Sequence, residues 1–282
     1  MQKADLHLHS NKSDGLLSPT GVVEEAAKLK LAAIALTDHD TTDGIHEAIS
    51  AGRRLDVEVI PGIEINTSAD NGELHILGYY IDPLNKHLIE FLEKLTEARQ
   101  ERIRKIICKL QNLGFDITYR QVRSNAGNAS SMGRPHIARV LQENGYVSSI
   151  REAFEKHIGR GSPAYVERQK LLPKEAVKLI KNSGGVPVLA HPGILSSPLY
   201  IETCIDYGIQ GLEAYHSSHQ NFQSNRFESI ANRYGLIVTG GSDSHGECGY
   251  DGARLIGSVT VPYRAVELLK YASDNNRNRA EK

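Results

Sequence analysis

Short apolar runs alternate with segments of helical period over the first third of the chain. KADLHLHS has the period of a strand, and residues two apart in a strand face one way, so His7 and His9 point together. SPTGVVEEAAKLK predicts a helix that Ser18 caps, with Pro19 at its first position. LAAIALTDHD is a second apolar run that stops at a polar cluster, and GIHEAISAGRRL follows as a helix. VEVIPGIEINTS and GELHILGYYID read as the third and fourth strands. This order predicts a mainly parallel sheet with helices outside it.

From Leu84 to Gly161 the pattern turns helical and charged. HLIEFLEKLTEARQERIRKIICKLQNLGF reads as one long amphipathic helix ending at Gly114, with shorter helices around GRPHIARVLQENG and VSSIREAFEKHIG. The strand–helix rhythm then returns. KEAVKLIKNSGG is a helix, VPVLAH and IQGLEAYH are strands, FESIANRYG is a helix and LIVTGGSDSH a strand. ARLIGSVTVP is expected to be the last strand and DNNRNRAEK a frayed polar tail. The predicted organisation is an α/β barrel in two parts, residues 1–83 and 164–282, interrupted by a helical insert at 84–163 that covers the barrel mouth.

The polar positions carry the chemistry. Nearly every apolar run ends in histidine or a carboxylate: His7 and His9, Asp38 and His39, Glu64, His75, His191, His216, and Asp243 with His245. Where βα units form a barrel, the C-terminal strand ends meet, so residues far apart in sequence converge. A lone histidine there is more often a hydrogen-bonding residue, but the same pattern at five or more strand ends points to metal. Nitrogen and carboxylate donors without cysteine suit zinc, manganese or iron and disfavour a structural zinc knot.

Composition narrows the rest. A chain of 282 residues with 40% apolar and 24% charged residues is that of a globular protein, and twelve histidines without a tryptophan are unusual. A net charge of −1 leaves no general basic surface for duplex nucleic acid. Cys108, Cys204 and Cys248 are odd in number and lack metal-type spacing, so a reducing, cytoplasmic setting is expected. No segment approaches the ~20 apolar residues that span a bilayer, and the N-terminus lacks a signal-peptide pattern.

The set HLHSNKSDG, TDHDT, PGIEI, HILGY, LAHPG and GSDSH resembles the PHP family, named for polymerase and histidinol phosphatase, over residues 3–82 and 164–260. The resemblance implies a distorted (β/α)7 barrel with two or three divalent ions (Mn²⁺, Fe²⁺ or Zn²⁺) at its mouth, hydrolysing phosphoesters. It implies that His7 and His9, with Glu64 and Asp243, hold one ion. Glu64 would bridge to a second on His75 and His191, and Asp14, His39 and His245 would hold a third. Three divalent ions against three carboxylates leave a field that favours a phosphate dianion. Asp38 or Asp40 either orients a ligand histidine or caps the next helix at Thr41 and Thr42.

The insert should select the phosphoester. Arg134 and His136 open a helix behind Gly133, where backbone N–H groups favour anions, and Arg134 can fork two phosphate oxygens; a surface salt bridge is its rival role. Arg160, in the glycine-rich GRGSPAYVE, is either a second phosphate contact or part of a hinge. His216 is expected to contact phosphate or donate a proton to the leaving oxygen, and His219 to begin the next helix. Tyr165 and Tyr215 either stack on a base or are ordinary part-buried tyrosines, and nothing marks Cys248 as a nucleophile. GRPHIA followed by PAYV is similar to the stand-alone PHP phosphoesterases. That subgroup implies a 3′,5′-nucleoside bisphosphate losing its 3′-phosphate to give a 5′-nucleotide, with short 5′-phosphorylated single-stranded RNA as a further substrate for 5′–3′ exonuclease action. A histidinol-phosphate or other small-molecule phosphatase is the alternative. A non-catalytic metal-binding module is a third reading, which the complete ligand set disfavours. The expected partner is thus a small phosphorylated molecule, with neither duplex nor membrane.

Overall fold

Eight strands form one sheet in the computed structural model, which describes residues 2–69, 72–246 and 255–280. They are β1 (Lys3–Leu8), β2 (Ala33–Leu36), β3 (Glu58–Ala69), β4 (Gly72–Tyr79), β5 (Val186–Leu189), β6 (Gly211–His216), β7 (Ile237–Gly241) and β8 (Val261–Pro262), in the order β7-β6-β5-β4-β3-β2-β1-β8. The end of β7 returns to β1. Asp243 N donates to His7 O (2.9 Å) and His9 N to Ser244 O (3.0 Å), so seven strands close into a nearly complete barrel. Gly241 permits the approach, because a Cβ there would lie 2.3 Å from His7 N. The expected distorted (β/α)7 barrel is what forms.

The sheet is less parallel than the sequence rhythm suggests. β1-β2, β2-β3, β5-β6 and β6-β7 pair in parallel, but β4 is antiparallel to both β3 and β5. The link from β3 to β4 is too short for a crossover helix, so only a hairpin can form. Of ARLIGSVTVP, Ala253 and Arg254 lie outside the described residues, and among the described remainder Val261 and Pro262 pair antiparallel to β1.

The helices are α1 (Pro19–Lys28), α2 (Ile45–Leu55), α3 (Lys86–Asn112), α4 (Tyr119–Ala126), α5 (Arg134–Glu143), α6 (Ile150–Ala153), α7 (Pro173–Asn182), α8 (Leu199–Asp206), α9 (Asn221–Tyr234) and α10 (Arg264–Ala280). Ser18 caps α1 as expected, accepting from Gly21 N at 3.0 Å. α4 and α8 were not foreseen, and α6 runs on as a π-helical turn, Phe154–Ile158. As far as Ala280, the last described residue, the expected frayed tail is instead the end of α10. Ser273 Oγ donates to Gly184 O (2.7 Å), Asn276 Nδ2 to Gly185 O (2.8 Å) and Arg277 to Tyr80 O (2.9 Å), which anchors a polar sequence on the barrel.

α3 belongs to two cores. Its Leu88 and Leu92 pack in the cluster that holds Ile63, Ile65, Ile76 and Ile180 of the barrel. Its Ile103, Ile106, Ile107 and Leu110 instead join Val122, Ile137 and Leu141 in a separate helical core. Each such side chain contributes about 1.5–3 kcal/mol on burial. One continuous helix therefore fixes the insert's position relative to the barrel. No helix among the described residues is long and apolar enough to cross a membrane.

Candidate metal centre

Strands and the loops that follow them bring all nine expected ligands together around the Glu64 carboxylate. Its Oε2 lies 3.2 Å from His7 Nε2, 3.3 Å from His9 Nε2 and 3.0 Å from His39 Nδ1. Its Oε1 lies 2.7 Å from His75 Nδ1 and 3.1 Å from His191 Nε2. Asp243 Oδ1 is 3.1 Å from His9 Nε2, and Asp14 Oδ1 is 3.3 Å from His245 Nε2. Three overlapping groups of donor atoms result: His7, His9, Glu64 and Asp243; His9, Asp14, His39 and His245; and His39, Glu64 and His75. The grouping differs from the expected one in two respects. His9 is shared with the Asp14 group, and His39 stands beside His75 while His191 reaches the same Glu64 oxygen. A fourth group, His7, Glu213 and His216, was not foreseen.

The electrostatics of this cluster fit divalent cations. Burial would raise the carboxyl groups of Asp14, Glu64 and Asp243, yet the surrounding histidines hold all three well below the usual range. Against burial, which lowers it, the Asp243 and Glu64 carboxylates raise the His9 pKa to about 10. Burial instead takes His39 down to about 3. The anionic centre thus draws positive charge onto some imidazoles and leaves others neutral. Buried nitrogens of His9, His75, His191 and His216 and Asp14 Oδ1 have no well-aligned hydrogen-bond partner, which suits ligand atoms aimed at an ion. A divalent cation bound there supplies a Lewis acid that polarises phosphoryl oxygens and acidifies water. His191 and Asp243 adopt left-handed backbone (φ 27° and 54°), local strain that concentrates at working sites.

A cavity of about 110 Å³ opens beside the cluster. Asp14, His39, His75 and Asn66 line it together with Glu73, Arg99, Arg102, Arg134, Phe154 and Arg168. Arg134 borders the cavity, where it donates to Glu73 (2.8 Å), the salt-bridge role that rivalled phosphate binding, and stacks over Phe154. His136 does not line it. Its Nδ1 accepts from Gly133 N (3.0 Å), and burial lowers its pKa to about 4, so a neutral imidazole caps α5 instead of holding phosphate. Arg160 is exposed and also absent from the lining. His216 is buried, with Nδ1 2.7 Å from Ser218 Oγ and Nε2 3.3 Å from Asp243 Oδ2. Tyr165 lies under Arg102 and Arg134, whereas the Tyr215 hydroxyl donates to Glu228 on α9. Cys248 lies outside the described residues.

A model of the PHP domain matches residues 5–181. The chain belongs to the PHP family. The 3′,5′-nucleoside bisphosphate phosphatase of Chromobacterium violaceum is 36% identical over 258 residues, 89% of this chain and 90% of its own length. The 5′-3′ exoribonuclease Rnm of Salmonella typhimurium is 33% identical, over 86% of this chain and 85% of its own. Among solved structures, a metal-dependent phosphoesterase of Bifidobacterium adolescentis superposes with a TM-score of 0.88 at 30% identity, covering 96% of each chain. This PHP protein is a metal-dependent phosphoesterase.

Several residues that organise the PHP site lie outside its motifs. Glu213 is buried on β6, where Oε1 pairs with His7 Nδ1 (2.9 Å) and Oε2 accepts from His191 N (2.7 Å). The available signal was a carboxylate inside an otherwise apolar strand, which cannot be buried without partners. Asp38 neither caps a helix nor hydrogen-bonds a ligand histidine. It accepts from Ser10 N (2.7 Å), Ser10 Oγ (2.7 Å) and Ser13 Oγ (2.6 Å), which shapes the loop that presents Asp14. Asp40 binds Arg99 and Asn66 N (2.9 Å), and Asn66 Nδ2 lies 3.0 Å from His39 Nδ1, so its influence on His39 is indirect. His219 does not begin α9; its Nε2 accepts from Gly193 N (3.0 Å) and steadies the turn after His191. Arg99, Arg102 and Arg168 were also missed. Two of them sit three apart on α3, a spacing that shares one helix face.

Proposed function

We propose that this chain hydrolyses a phosphate monoester of a nucleotide that carries a second phosphate, with a 3′,5′-nucleoside bisphosphate as its principal substrate. Water would cleave the 3′ ester and leave a 5′-nucleotide and inorganic phosphate. One observation carries the reading: a single cavity is lined both by candidate ligands and by arginines, Arg134 among them. A substrate with one phosphate at the ligands and another on the arginines satisfies both. The names of the two relatives support nucleotide and RNA substrates. Short 5′-phosphorylated RNA fits the same pattern as a longer substrate.

In this reading His7, His9, Asp14, His39, Glu64, His75, His191, Asp243 and His245 hold two or three ions of Mn²⁺, Fe²⁺ or Zn²⁺. The insert, residues 84–163, forms the wall that selects the phosphate. His216, against Asp243, is the candidate proton donor to the leaving oxygen. Cys108 and Cys204 are free thiols, which supports a reducing compartment such as the cytoplasm.

The test is phosphate release by Mn²⁺-loaded protein from adenosine 3′,5′-bisphosphate, AMP, histidinol phosphate and a short 5′-phosphorylated RNA. The bisphosphate should be turned over about 10–100-fold more efficiently than histidinol phosphate, since a charge-assisted contact contributes about 1.5–3 kcal/mol. Comparable rates on the two would overturn the reading.

A further inference from the structure

The geometry points to a seat for a phosphate monoester dianion formed by Arg102 and Arg168, which takes the substrate phosphate that is not hydrolysed. The inference rests on the bisphosphate reading and adds to it the residues that grip the second phosphate and the charge they demand.

Four guanidinium groups border the cavity, and two are already matched. Arg99 Nε donates to Asp40 at 2.8 Å, and Arg134 to Glu73 at 2.8 Å. Arg102 and Arg168 differ. Arg102 Nε donates to the uncharged Val166 O (2.8 Å), while its Nη2 is buried without a hydrogen-bond partner. Arg168 Nη1 is buried without one as well. Buried charged donors are left unmade only where something else completes them.

The charge count selects the ligand. Apart from the metal-ligand side, the lining and Asp40 bring four guanidinium charges against the two carboxylates Asp40 and Glu73, which leaves two positive charges. Burial first, and then the neighbouring arginines, lower both Arg102 and Arg168 to about 10, so the wall is strained by its own charge. A phosphate monoester brings close to two negative charges, a diester only one. The planar fork of arginine also matches phosphate oxygens two at a time. A terminal phosphate therefore fits, and an internal phosphodiester does not.

Both arginines also border a smaller cavity of about 20 Å³, shared with Asn66 and Arg99, so the wall is not packed shut around them. Arg102 comes from α3 and Arg168 from the segment that leads into α7. The seat exists only where insert and barrel meet.

The experiment compares wild type and Arg168→Gln on adenosine 3′,5′-bisphosphate and on adenosine 3′-phosphate. It also titrates inorganic phosphate into chelator-treated protein by calorimetry. The variant should lose about 10–100-fold in kcat/KM on the bisphosphate and less than about threefold on the monophosphate. Phosphate should bind the metal-free wild type and fail to bind the variant. Arg168→Lys, which keeps the charge but not the fork, should fall between, and it serves if Arg168→Gln does not fold. Equal losses on both substrates, or undiminished phosphate binding by the variants, would overturn the seat. A wild type that does not favour the bisphosphate overturns the functional reading instead, and the phosphate titration then decides the seat alone.

Discussion

Glu213 serves two ligands from one buried position, since one oxygen meets the His7 ring and the other the His191 backbone. The first contact fixes which His7 nitrogen faces Glu64, and the second holds the left-handed backbone of His191. Outer partners of this kind typically contribute 10–100-fold in metal affinity. Glu213→Ala should therefore weaken Mn²⁺ binding by about that factor in a chelator competition, and Glu213→Gln, which keeps an acceptor, by less; unchanged affinity in both would exclude the role. Glu213 was hard to read because no motif of the resemblance covers it. Most of the ligands were legible because a polar residue in or just past an apolar run stands out, whereas Asp14 followed only from the resemblance. The arginines were not, because which face of α3 meets the cavity depends on how the insert packs. His136 misled for a local reason, since a histidine three residues into a helix can satisfy the backbone N–H at its start.

At the scale of elements, that same histidine couples the insert to pH. Its pKa is about 4 in the fold against an ordinary 6.5, so the unfolded chain binds the extra proton between these values. Stability from the neutral cap is thus complete above about pH 6.5 and is lost as pH falls toward 4, with a slope up to about 1.4 kcal/mol per pH unit. His136→Gln keeps an acceptor for Gly133 N but cannot titrate. Urea unfolding should show wild type losing about 1–2 kcal/mol more than this variant between pH 7 and pH 5. Parallel losses would mean that His136 is not buried neutral. Apart from α4, the insert's helices were readable from period, while α10 was not. Its polar tail is helical because Ser273, Asn276 and Arg277 find carbonyls on the barrel, a tertiary cause that no local pattern carries. The brevity of β8 has the same character, since among the described residues 255–262 only Val261 and Pro262 find a partner strand.

The whole molecule closes around its ligands. β1 brings His7 and His9 to one side of the barrel seam, and the segment after β7 brings Asp243 and His245 to the other. The covalent chain does not join these strands, and the seam rests on the backbone bonds from Asp243 to His7 and from His9 to Ser244. Cations held by His7, His9 and Asp243 would bridge the same seam. Binding that favours the folded state adds about 2.7 kcal/mol at a concentration 100-fold above Kd. For a chain of this size the corresponding rise in Tm is about 5–10 °C. Chelator-treated protein titrated with Mn²⁺ should show that rise, together with slower amide exchange in β1 and β7 than in the insert's own core. The gain should shrink as pH is lowered, because the imidazoles must shed protons before they bind. A Tm indifferent to Mn²⁺, or protection gained equally across the molecule, would separate the metal centre from barrel closure.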